Sequence, residues 1–164
     1  MKKLKALFLT MILALSVTST AFAAEITEED GSPKSEEVTI SASIAPTYTV
    51  TIPKDMKVEF NETSTTFGTI SLDKAQIDPG YAVKVDLTAS KILKNKADTS
   101  KTIAYAINAG GAAFTSQEYT AAGQSTPLTI DITQEAWDQA YAGDYSDTVT
   151  FTISYGPAAG AVNP

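Results

Sequence analysis

The sequence predicts an all-β antiparallel sandwich of about 7–8 short strands with one short helical turn. Three observations predict it. The segment Asp147 to Tyr155 alternates without error, with Val149, Phe151, Ile153 and Tyr155 on one face and Thr148, Thr150, Thr152 and Ser154 on the other. A period of two in β-branched and aromatic residues marks a strand with one buried face. Similar short alternations recur along the chain, separated by Gly and Pro turns, and no amphipathic helix of useful length intervenes. Third, Gly143 turns the chain into the last strand and Tyr145 sits at its entry. A tyrosine there is placed to bond back to upstream backbone, the corner device of immunoglobulin-like sandwiches.

In chain order, residues 1–23 read as a secretory signal. Lys2, Lys3 and Lys5 precede an apolar run from Ala6 to Val17, and Ala21-Phe22-Ala23 is an A-x-A cleavage site. The run is too short to span a membrane. Residues 24–36 are acidic, contain Gly and Pro, and show no period, so a flexible leader is expected. The sandwich is expected over residues 37–155 and a disordered tail over 156–164. Within it, Val38, Ile40, Ala42 and Ile44 alternate with Thr39, Ser41 and Ser43; Pro46 breaks the run, and Tyr48, Val50 and Ile52 resume it. Met56, Val58 and Phe60 form a weaker alternation. Phe67 to Leu72 is a further strand, with Gly68 marking a bulge or a close backbone approach. Asp78-Pro79-Gly80 is a turn into Tyr81–Thr88. Ser90 to Lys101 is a lysine-rich patch, read as a solvated loop or a charged edge, with contact to a phosphate or an anionic polymer as the functional reading. Strands follow at Ile103–Ile107 and Leu128–Ile132. Thr133 is expected to cap a helical stretch, Gln134 to Ala140, that carries the single tryptophan.

Composition narrows the function. Cysteine and histidine are absent, which removes thiolate chemistry, Ser-His arrangements and the usual zinc sites. All 12 basic residues are lysine, so the bidentate fork that reads bases and clamps phosphates is missing. Cleavage after Ala23 removes three lysines and no acid, taking the formal charge from -7 to -10. Nucleic acid is therefore not an expected partner. No cofactor, metal site or catalytic residue is expected, and Asp144 and Asp147 are read as satisfying turn amides and not as a carboxylate pair. The expected location is outside the cell or on its surface, with no membrane span, lipobox or sorting motif.

Four elements resemble the secreted spore coat protein U family and the related archaic chaperone-usher pilins of bacteria. They are the alternating Val38–Ile44 segment, Phe67-Gly68-Thr69, Gly80-Tyr81-Ala82-Val83, and the closing Ala142-Gly143-Asp144-Tyr145-Ser146-Asp147-Thr148-Val149. The resemblance implies a sandwich lacking its last strand, its groove filled by the N-terminal strand of the next subunit. Val38, Ile40, Ala42 and Ile44 would then be the inserted row, and Val149, Phe151 and Ile153 would line the receiving groove. The chain departs from that family where a disulfide is common, having Tyr48 and Thr49 there. The expected role is a non-enzymatic adhesive or structural subunit whose partners are other copies of itself or related surface proteins. The alternative is a module binding cell-wall or host glycans through Phe114, Tyr119 and Trp137, aromatic rings on which a sugar stacks, although such rings more often cover an end of the core.

Overall fold

The computed structural model describes residues 37–161; the expected signal (1–23), the expected leader (24–36) and residues 162–164 lie outside them. Among the described residues, those up to Ser43 fall in one unit and those from Ile44 onward in a second. In the first unit, residues 37–43 belong to no strand, and Val38 and Ile40 are exposed.

The second unit is the sandwich. Its long sheet contains β1 (Thr47–Thr51), β2 (Ser64–Gln76), β6 (Ala106–Ala109), β7 (Ala112–Ala113) and β9 (Ser125–Asp131), in the order β1-β2-β9-β6-β7. A second sheet has the order β11-β3-β8, from β3 (Tyr81–Ala89), β8 (Ser116–Tyr119) and β11 (Val149–Pro157). A small third sheet has the order β10-β4-β5, from β4 (Ile92–Asn95), β5 (Thr102–Ala104) and β10 (Tyr145–Ser146). Every pairing is antiparallel. The helix, α1, is one turn, Gln134–Asp138, with the Thr133 hydroxyl accepting from the Ala136 N–H at 3.2 Å.

The sheets meet along the rows the alternation defines. Ile70 and Leu72 of β2, Ile107 of β6 and Leu128 of β9 face Val83 and Val85 of β3, and all six are sealed from solvent. Strand order matches the immunoglobulin arrangement, in which strands A, B, E and D form one sheet and C, F and G the other. Here β1, β2, β9 and β6 take A, B, E and D, while β3 and β11 take C and F. Among the described residues, no strand lies on the free side of F.

Several local expectations hold. The β2–β9 register slips between Thr66 and Gly68, and Gly68 has φ +135° with the place of a Cβ only 3.1 Å from Pro53 Cβ. The Tyr145 hydroxyl donates to the Tyr141 carbonyl at 2.9 Å and accepts its N–H at 3.1 Å, so the corner forms. Two expectations do not hold. Residues 53–60 join no sheet, because β2 has β1 and β9 on its two sides and leaves no edge for Met56–Phe60. The last strand passes Tyr155 to Pro157, and the Ala158 N–H bonds the Gly80 carbonyl, so the tail departs later than expected.

Gly143 is fixed by its surroundings. Its φ is +141°, and a Cβ would lie 2.5 Å from Nδ2 of the buried Asn95, whose Oδ1 accepts from the Ala97 and Asp98 N–H groups. Gly143→Ala is expected to destabilise the fold by about 1–3 kcal/mol, read by denaturant unfolding. Gly123→Ala, at a φ of +86° but facing open space, should cost less.

Candidate site: an open seam between two strand edges

The inner row of β11 is incompletely covered. Ile153 pairs with Val85 and Tyr155 with Val83, so they share the inward face of those two fully buried valines. Yet Ile153 is 38% exposed, and Val149, Phe151 and Tyr155 are only half-buried. Across from them, Tyr48, Val50 and Ile52 on and after β1 form another inner row, also partly exposed. Both β1 and β11 are sheet edges. Single exposed apolar side chains are ordinary, but a contiguous row of them on facing, unpaired strand edges marks a surface suited to a covering element.

The gap widens toward the end of β1 and the start of β11. There a cleft of about 1240 Å³ is walled by the strap of residues 52–60 on one side and by residues 141–151 on the other, with Leu93, Ile103, Tyr105 and Trp137 also lining it. The strap presents Met56 and Val58 to the core and, among the described residues, has no strand beside it, as is true of the outer edge of β11. At the opposite end the seam is shut. Tyr48 of β1 and Tyr155 of β11 lie 5.9 Å apart between ring centroids, Tyr81 lies 5.3 Å from Tyr155, and the Tyr155 hydroxyl donates to Asp78 at 2.7 Å.

Of the residues named from sequence, Val149 and Phe151 line this cleft, and Ile153 continues their row toward the closed end. Val38, Ile40 and Ile44 are largely exposed, and residues 38–44 join no strand. The aromatic rings named as sugar platforms are buried: Phe114, Tyr119 and Trp137 retain 4%, 2% and 8% exposure. The Tyr119 hydroxyl donates to Thr126, and Trp137 Nε1 donates to the Glu62 carbonyl at 3.0 Å while its ring meets the edge of Phe60. Rings packed this deeply offer no free face to a sugar, and their role here is to close the core. The strap residues Met56, Val58 and Phe60 were overlooked as site residues; their signal was the weak alternation read as one more strand.

Asp147 sits at the base of the cleft beside Tyr105. The Tyr105 hydroxyl donates to it at 2.7 Å, and the Thr148 N–H at 2.8 Å. Burial would raise the Asp147 carboxyl, but the hydrogen bonds from Tyr105, Ser90, Thr148 and Ile92 outweigh it and hold it below its usual value. Burial and the same carboxylate push the Tyr105 phenol well above its ordinary range. The pair is a structural clasp between β10–β11 and the chain ahead of β6.

No protein-family model matches the chain, and no curated protein is similar to it. Among solved structures, it is similar to a chain from a chaperone-tip adhesin complex described as vital for synergistic activation of CFA/I fimbriae biogenesis. The likeness has a TM-score of 0.44 and 12% identity, and covers 69% of this chain and 43% of that one. This chain thus spans less than half the length of that neighbour. The fold assignment above rests on strand order and register.

Because Asp147 is more acidic folded than unfolded, its contribution to stability is complete above the ordinary aspartate value of 3.8 and is lost as pH falls through the lower folded value. Asp147→Asn should therefore flatten the acid limb of a stability–pH curve relative to the parent chain, measured by thermal melting between neutral and acid pH.

Proposed function

We propose that this protein is a non-enzymatic, exported or surface-held structural subunit that assembles by accepting a β-strand into its open seam, the strand being residues 38–44 of another copy. The observation that carries the reading is the wet inner row of β11 facing the unpaired strap across a cleft. A strand laid there would satisfy backbone groups on both sides and bury alternate side chains, the physics of β-augmentation. At about 25 cal/mol per Å² of apolar surface, such a strand contributes several kcal/mol before ordering costs.

Size complementarity favours one seating. With the strand antiparallel to β11, Ala42 lies against Phe151, whose ring already meets that of Phe67 at 6.0 Å and leaves least room. Ile40 then covers Ile153, Ile44 enters the wide end of the cleft beside Val149, and Val38 reaches Tyr155. A chain cannot seat its own segment this way. Thr47 starts β1 at the Tyr155 end, since Tyr48 touches Tyr155, whereas Ile44 would have to lie beside Val149. That is six residues along β11, about 20 Å. Ile44 is three residues from Thr47, a reach of at most about 11 Å. Antiparallel insertion is therefore intermolecular.

Truncation tests the proposal. Mature chain and a version beginning at Thr47 are compared by size-exclusion chromatography and by electron microscopy of any high-mass fraction. The mature chain should form linear oligomers and the shortened one should stay monomeric. Equal assembly and equal melting temperature in both would overturn the proposal.

A further inference from the structure

Sequence reading leaves the lysine-rich stretch between β3 and β5 unabsorbed by the seam. It holds four of the 12 lysines, Lys91, Lys94, Lys96 and Lys101, in eleven residues. The fold gathers three of them around the segment that precedes β11. Lys94 pairs across the ladder with Ser146, the Lys96 N–H bonds the Asp144 carbonyl at 2.8 Å, and Lys101 Nζ stands 4.4 Å from the centre of the Tyr141 ring. Leu93 and Asn95 point inward, so Lys94 points to solvent.

Lys94 and Lys96 are held in no ion pair among the described residues, and Lys101 is engaged by Asp98 only at longer range. Among the described residues the ion pairs join Lys57 to Glu59 and Lys84 to Asp86, and none involves this stretch. The acid in the same turn, Asp98, is turned onto the Ser100 N–H and hydroxyl, which hold its carboxyl below the usual value. Tyr141 is 62% exposed although a cation stands over its ring. Its backbone is pinned by Tyr145, so the ring is presented from a fixed base.

We propose that Lys94, Lys96, Lys101 and Tyr141 form a binding surface for an acidic polysaccharide, a sugar ring packing on Tyr141 while carboxylate or phosphate groups meet the lysines. A chain with formal charge -7 repels polyanions elsewhere on its surface, so this patch would also orient their approach. An exposed aromatic beside cations is suited to a polymer carrying both apolar ring faces and negative charge. A neutral glycan would leave the lysines unused; a simple polyanion would leave the ring unused.

The test uses the mature full chain and three immobilised polymers: polygalacturonate, dextran of matched length, and polyglutamate. Polygalacturonate should bind most tightly, weakening about tenfold or more in high salt or when Lys94, Lys96 and Lys101 are all changed to Gln. Tyr141→Ala should weaken it severalfold with the salt dependence unchanged, and melting curves should show both variants folded. Equal binding to dextran, equal binding to polyglutamate with no effect of Tyr141→Ala, or no binding to polygalacturonate would each overturn the proposal. Truncation to Thr47 removes none of these four residues, so loss of assembly on truncation leaves this outcome unchanged.

Discussion

One deficit governs the molecule: a sandwich whose inner rows are complete on β2, β3 and β9 but left uncovered on β11. Six residues of the central core are sealed, while the β11 row beside them runs half-wet along a free edge. Among the described residues, wet apolar side chains and an unpaired backbone edge coincide on β11, and a strand laid there would supply both burial and pairing. Everything distinctive about the site follows from that coincidence.

The rest of the fold keeps the gap from collapsing. At one end the rings of Tyr48, Tyr81 and Tyr155 close the seam, with Asp78 holding the Tyr155 hydroxyl. At the other, Trp137 is anchored through Glu62 and braced by Phe60, which supports the start of the strap's return into β2. The Asp147–Tyr105 clasp and the Asn95–Gly143 contact fix the wall that leads into β11. Aromatic and polar anchors at fixed points hold two edges apart, where small side chains would let them drift together.

Much of this was legible in the sequence because a period of two is a strong signal where one face is buried. The closing strand, the Gly68 bulge, the Thr133 cap and the Tyr145 corner each follow from a residue type whose backbone or hydroxyl chemistry leaves few alternatives. Sheet membership was less legible. Met56, Val58 and Phe60 alternate as a strand does, but alternation reports only that one face is buried, not that an edge is free to pair with. Phe114 and Tyr119 lie in a stretch of small residues and Trp137 in a short helical stretch, where covering the core is the commoner role of a ring and a sugar platform the rarer one; their burial bears out the first. The seam itself has no local signature, since it is an absence in strand order.

Disulfide trapping measures the central claim most directly, because the chain has no cysteine of its own. Antiparallel seating with Ala42 at Phe151 places Thr39 opposite Ser154, both on the outward face, so Thr39→Cys in one copy and Ser154→Cys in another should join between chains under mild oxidation. A bond from Thr39→Cys to Thr150→Cys within one chain, or assembled protein in which neither pair forms, would contradict it.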